Sequence, residues 1–219
     1  MTGSDGARGS SIPDPRPWPR HGVRAGTEYR IFTTTFEDLE NPRTGRRMER
    51  VVVDAPDWVN VIALTGEREV VVVKQHRFGV AAPTLEIPGG MIDPGEEPLV
   101  AAIRELREET GFESDRWSSL GSVAPNPAFL NNRCHHFLAE GCRLSGDQRQ
   151  DPGEDIHVGT MPLAEMRAAI LDGSVDHSSG PVQCVTQAIR RLSEEAPSGW
   201  KYKAALSSLV IEKRYSPDS

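Results

Sequence analysis

Hydrophobic and polar positions change their period several times along the chain, and each change marks an element. A Thr/Tyr/Phe-rich run from Glu28 to Glu37 and a second β-prone run from Glu49 to Asp54 flank Asn41-Pro42-Arg43-Thr44-Gly45. Two such runs around an Asn/Pro/Gly turn predict a hairpin. Trp58–Thr65 and Val70–Gln75 read as two further strands, joined by Gly66-Glu67-Arg68-Glu69. The consecutive valines at 70–73 predict burial on both faces. Thr84–Ile87 makes a short strand before Pro88-Gly89-Gly90.

The period then becomes helical. Glu97–Thr110 has Pro98 in its first turn and Gly111 as its stop. Leu99, Ala102, Ile103 and Leu106 fall at the spacing of a buried stripe. Strand patterns return at Trp117–Ala124, His135–Glu140 and His157–Met161, and helical ones at Leu163–Leu171 and Val182–Glu194. The fold class is therefore mixed α/β, of the α+β kind. Residues 1–20, with Pro at 13, 15, 17 and 19, read as an extended leader in which Trp18 is an incidental aromatic. The remaining divisions are a β-rich region at 21–57, a main domain at 58–195 and an extension at 196–219, whose Ala204–Ile211 stretch is apolar enough to pack.

Composition narrows the classes. A chain of 219 residues suits one ordinary core. Its 32 acidic and 25 basic side chains give a net charge of −7, which disfavours binding to nucleic acid by counterion release. That charge leaves a phosphate-bearing small molecule open, because a local metal reverses the sign of one site. The apolar stretches are too short for a membrane helix and the N-terminus lacks the design of a secretion signal, so a cytoplasmic location is expected. Cys134, Cys142 and Cys184 are odd in number and irregular in spacing, as three reduced thiols would be.

The chemistry concentrates between Gly89 and Phe112. Glu105, Glu108 and Glu109 lie three and four positions apart, which sets them along one face of a helix, taken as an exposed one. Arg104 reaches Glu108 at i+4, while Glu105 and Glu109 have no equally obvious partner. Unpaired like charges at this spacing cost about 0.2–0.5 kcal/mol per pair. A divalent cation would turn that repulsion into ligation. Oxygen donors without His or Cys point to Mg²⁺, with Mn²⁺ as a substitute. Gly89 and Gly90 let backbone approach metal or phosphate closely. A solvated Glu-rich helix after an ordinary turn is the plain alternative.

The whole stretch resembles the Nudix box, G-x5-E-x7-R-E-U-x-E-E-x-G-U, where U is a bulky apolar residue. Gly90, Glu96, Arg104, Glu105, Leu106, Glu108, Glu109, Gly111 and Phe112 occupy every specified position. The resemblance implies a Nudix-type α/β/α sandwich with a mixed sheet, and hydrolysis of a nucleoside diphosphate linked to another group. It also implies metal ligation by Glu105 and Glu109, a further contact from Glu108, completion of the site by the Gly90 backbone, and orientation of the carboxylates by Arg104. Glu96 is then a supporting acid.

Outside the box the chain is similar to the ADP-ribose pyrophosphatase branch at several points. Gln75-His76-Arg77, Leu85-Glu86-Ile87-Pro88-Gly89-Gly90 and Pro127, 16 residues past Gly111, carry that likeness. Arg77 either contacts a substrate phosphate or carboxylate or forms a surface ion pair, and the same choice holds for Glu86 as ligand or orienter. Within Asp151–His157, Glu154 matches a position that supplies a catalytic base or an extra metal ligand, with Asp155 as the alternative. The branch also implies a homodimer whose N-terminal β region helps form the pocket, with Trp58, Phe32 or Tyr29 available to stack on a base. His135 and His136 point to opposite faces of a strand, so one buried and one exposed ring is expected. Two other functions compete: hydrolysis of nucleoside triphosphates, dinucleoside polyphosphates or capped RNA, and a ligand sensor without turnover. A sensor has no need of the box glutamates, and all are present.

Overall fold

The computed structural model describes residues 13–171, in two compact units that meet in sequence at Asp54 and Ala55. In the first, β1 (Arg20–Glu28), β2 (Thr33–Glu40) and β3 (Arg47–Asp54) form an antiparallel sheet with β2 in the centre. The expected hairpin is β2–β3. Its turn is closed by Asn41 Oδ1, which accepts the Arg43 N–H at 2.8 Å and the Thr44 N–H at 3.2 Å. Gly45 takes a positive φ of 70° there, at no cost to a residue without Cβ.

β1 was not expected. Its sequence, Arg-His-Gly-Val-Arg-Ala-Gly-Thr-Glu, has no alternation, and it is exposed along its whole length. Cross-strand contacts hold it instead: Arg20 to Glu37 at 3.0 Å, Arg24 to Glu49 at 3.1 Å, and the Arg24 guanidinium 4.0 Å above the Phe36 ring.

The second unit is a seven-stranded mixed sheet between helices. Its strands are β4 (Trp58–Thr65), β5 (Glu69–Arg77), β6 (Ala82–Glu86), β7 (Phe112–Glu113), β8 (Arg116–Val123), β9 (Cys134–Leu144) and β10 (His157–Pro162). The order is β10-β5-β4-β9-β7, with β6 also paired to β5 and β8 to β9. β4 and β9 are parallel; the other pairs are antiparallel.

Alternation decides which side chain meets which helix. Ile62, Leu64, Val70, Val72 and Leu138 pack with Met166 of α2 (Leu163–Leu171). Val59, Val61, Ala63, Val71, Phe137 and Ala139 pack with Ala101, Ala102 and Leu106 of α1 (Pro98–Thr110). The valine run thus serves both layers, as its composition implied. Each fully buried Val, Leu or Ile contributes about 1.5–3 kcal/mol.

The α1 stripe needs correction. Leu99 and Ile103 are 40% and 43% exposed, whereas Ala101, Ala102, Leu106, Glu109 and Thr110 are buried. Two adjacent alanines let the helix lie close to the sheet, and the rotation that buries them turns Glu109 inward, where a backbone N–H receives it. The α2 bounds agree with the sequence reading, while β7 is too short to have left a pattern. The expected helix at Val182–Glu194, Cys184 and the extension at 196–219 lie outside the described residues.

Cys134 and Cys142 are free and buried, and burial pushes their thiols up to about 12 and about 11. His136 is fully buried as expected of one ring, whereas His135, expected to be exposed, is half-buried against Asp57 at 3.1 Å.

Candidate active site

The site begins with a loop laid along β4. Pro88 O accepts the Val61 N–H and Gly90 O accepts the Val59 N–H, both at 2.8 Å, so the segment follows the strand without side chains between them. A Cβ on Gly89 would overlap the Val59 carbonyl, and one on Gly90 would overlap the Glu105 carboxylate. The two glycines are thus required by proximity, one to backbone and one to an acid. The Gly89 N–H is left to donate to Glu109 Oε2 at 2.9 Å.

α1 supplies the acids. It starts at Pro98 and stops at Gly111, whose φ of 73° lets its N–H return to Arg107 O. Glu109 is only 4% exposed, not on an open face as the spacing alone suggested. Burial pushes its carboxyl up to about 8, and Glu105 and Glu154 add repulsion against the pull of the Gly89 N–H and Arg77. Glu105 is raised as well, again first by burial.

Arg104 is the hub, and it gives Glu105 the partner that helical spacing alone did not make obvious. Its Nη1 donates to Glu105 at 2.8 Å and to Glu108 at 3.3 Å, its Nε and Nη2 to Glu96 at 3.0 and 2.9 Å, and its Nη2 also to the Met91 carbonyl at 3.0 Å. Glu96 lies eight residues back, on the loop before the helix, a reach that i,i+4 spacing cannot reveal.

Arg77 and Glu86 pair with each other across β5 and β6, at 2.7 and 2.6 Å. That pair does not sit apart from the acids, because Glu109 and Glu154 both act electrostatically on Arg77. Thr84 donates its hydroxyl to Glu86 and was not anticipated. Its position two residues earlier on a strand, hence on the same face, was the available signal.

Glu154 lies on an exposed turn closed by the Asp151 N–H at 3.0 Å from its Oε2, and its charge bears on Glu105 and Glu109. Asp155 instead faces His157 at 3.6 Å. Pro127 is exposed in the loop between β8 and β9, where Asn126 O caps the turn for Phe129 and Leu130. Trp58 is half-buried at the start of β4 and bridges to Met91, next to Gly90. Tyr29 and Phe32 stack on one another, with centroids 4.7 Å apart.

Among the described residues, no three acidic, His or Cys groups already stand close enough to hold an ion. The donors nevertheless fit a hard divalent cation. Buried Glu109 and half-buried Glu105 lie against the glycine loop, and the repulsion that Glu108 and Glu154 add to them is of the kind a cation relieves.

Known proteins bear on this arrangement. The NUDIX domain family matches residues 55–181. An ADP-ribose pyrophosphatase of Bacillus subtilis (strain 168) is 35% identical over 137 residues, 62% of this chain and 74% of that protein. A methanol dehydrogenase activator of Bacillus methanolicus is 38% identical over 112 residues, 51% of this chain and 60% of that protein. The fold is similar to that of a crystal structure of an ADP compounds hydrolase, with a TM-score of 0.73 at 21% identity over 84% of this chain and 99% of that one. With the box complete, its helix packed beneath the glycine loop and more than half of the chain matched, the chain belongs to the Nudix hydrolase family.

Proposed function

We propose that the protein hydrolyses the diphosphate bond of ADP-ribose or a related nucleoside diphosphate sugar, with Mg²⁺ as its cation and Mn²⁺ as a substitute. The products are a nucleoside monophosphate and a sugar phosphate. One observation carries this reading: Glu109, buried beneath the Gly89 N–H that it accepts, is pushed up to about 8, with Glu105 and Glu154 adding repulsion. Such a constellation is unfavourable until a cation and its phosphate ligand enter. The relatives named as ADP-ribose pyrophosphatases support the choice of substrate.

Glu105, Glu108, Glu109, Glu154 and the Gly90 carbonyl would hold the cation, although that carbonyl already accepts one N–H. The chemistry a divalent cation supplies there is neutralisation of the diphosphate and acidification of water. Glu154 takes a proton from the attacking water. The water oxygen then bonds to one phosphorus in line with the departing bridge oxygen, and the P–O bond to that oxygen breaks. Arg104 keeps Glu105 and Glu108 aimed during this step, at no reorganisation cost. Arg77, gripped by Glu86, meets a phosphate or carboxylate of the substrate. Gly89 admits the diphosphate to the loop, with Trp58 and Pro127 on the side of the nucleoside or sugar.

We also infer a homodimer built through the N-terminal sheet. In its own unit β1 is exposed throughout, and Val23 on it and Tyr29 and Ile31 just after it are 51–56% exposed, apolar side chains that a second copy would cover. No described helix is long and apolar enough to cross a membrane, and the buried free thiols suit a reducing, cytoplasmic setting.

The test is a substrate panel with Mg²⁺: ADP-ribose, UDP- and GDP-sugars, dinucleotides and nucleoside triphosphates. AMP plus ribose 5-phosphate from ADP-ribose supports the proposal. Preferential pyrophosphate release from triphosphates replaces it with the competing hydrolase reading, and tight binding without turnover replaces it with a sensor.

A further inference from the structure

The segment between β9 and β10 passes the C-terminal end of α1, where the last carbonyls of a helix have no partner within it. Gly111 O accepts the Ser145 N–H at 2.9 Å, and Glu108 O accepts the Arg149 N–H at 2.8 Å. Glu109 O accepts from Gln148 Nε2 at 2.5 Å, and the same nitrogen donates to Ile156 O at 3.1 Å. A carboxamide nitrogen carries two hydrogens, so each carbonyl receives one. Gln150 closes the other side of the loop, donating to Ile156 O at 2.7 Å and accepting the Ile156 N–H at 3.0 Å. Ile156 is 3% exposed, whereas 151–155, with Glu154 among them, are exposed throughout.

We propose that Gln148 is a positioning residue that ties the Glu154 loop to the Glu109 turn of α1, a single carboxamide nitrogen bridging the Glu109 and Ile156 carbonyls. The proposal rests on the reading of Glu154 as the proton acceptor. Glu154 stands two residues before the anchored carbonyl, and its own turn is closed by local bonds with Asp151. The tie therefore sets how far the Glu154 carboxylate stands from the acids of the helix. Side-chain chemistry explains the residue type. Met has the length without donors, Glu would set acceptors against acceptors, and Asn is one methylene short. Misplacing a catalytic group by about an ångström costs on the order of 10–100-fold in rate.

The experiment combines Gln148→Met, Gln148→Asn and Glu154→Gln with the double variant Gln148→Met/Glu154→Gln. Each is measured for kcat and KM on ADP-ribose with Mg²⁺, for Tm, and for amide hydrogen exchange across 151–156. We expect Gln148→Met to speed exchange in that segment and to lower kcat about tenfold with KM within about twofold. Gln148→Asn should fall between it and the parent. In the Glu154→Gln background, Gln148→Met should add no further loss of kcat, because the group it positions is gone. Equal losses in both backgrounds, or unchanged exchange at 151–156 in a folded Gln148→Met protein, would overturn the proposal. Full activity of Glu154→Gln would remove the base assignment, and the positioning role with it. The exchange data report on the tie without reference to activity, so a missing tie and a wrongly assigned base are told apart.

Discussion

The Arg104 guanidinium grips the Glu96 carboxylate at two points, Nε to Oε1 at 3.0 Å and Nη2 to Oε2 at 2.9 Å. This fork fixes the plane of the guanidinium, which leaves Nη1 directed at Glu105 and Glu108. Glu96 is held below its ordinary value by that contact, and Arg104 is raised by it. An ammonium cannot reproduce the geometry. Arg104→Lys should therefore lose on the order of tenfold or more in kcat/KM while keeping its charge. Glu96→Gln should lose less, and the double variant should lose less than the product of the two. Steady-state kinetics on the three proteins provide the check; full additivity would mean that Glu96 does not act through Arg104.

Glu109 leads to a prediction in which activity and stability move apart. Its carboxyl is buried among like charges, so Glu109→Gln keeps the bond from the Gly89 N–H and removes repulsion. The variant should be at least as stable as the parent without metal, and should lose activity by on the order of a hundredfold or more. The parent should gain stability when Mg²⁺ or Mn²⁺ is added, by about 2.7 kcal/mol at a hundredfold excess over Kd and with a raised Tm, and the variant should gain much less. Thermal melts with and without metal test both statements. An equal gain in the two proteins would remove Glu109 from the ligand set.

Adjacent glycines should respond differently to the same substitution. Gly89→Ala drives a methyl into the Val59 carbonyl, which is strand backbone and cannot yield. It should cost about 1–3 kcal/mol of stability, as overpacking does. Gly90→Ala meets the Glu105 carboxylate, which can swing aside. It should fold nearly as well as the parent but lose most of its turnover. Urea denaturation and kcat on both variants decide it.

His136 should give the protein an acid-sensitive stability. It is fully buried, and neither ring nitrogen has a hydrogen-bond partner among the described residues. Burial, with a smaller contribution from His135, lowers its pKa from 6.5 to about 4. Between these values the unfolded chain binds more protons than the folded one, so stability falls as the pH drops. The contribution is complete above pH 6.5 and is lost by about pH 4, at most about 3 kcal/mol. His136→Leu should flatten this part of the profile without loss at pH 8, since an apolar group replaces an unpaired polar one. Urea midpoints between pH 4 and 8 would show it.

The chain's own text determined a great deal here, and for local reasons. The apolar strand run at Trp58–Thr65, the valine run and the box from Gly90 to Phe112 are each encoded by residues close together in the chain. That oxygen donors of this kind suit a hard divalent cation was also readable from the residue types alone. What only the tertiary structure decided depends on residues distant in sequence. β1 has no pattern of its own and exists because β2 pairs with it. The helical spacing gave Glu109 a face but not its depth, which is set by the rotation that seats Ala101, Ala102 and Leu106 on the sheet. Likewise Arg104 found Glu96, Arg77 found Glu86, and Gln148 bridged two carbonyls 47 residues apart in the chain, Glu109 and Ile156. Hydrogen bonds of that kind depend on where packing brings the backbone, and no short-range periodicity records it.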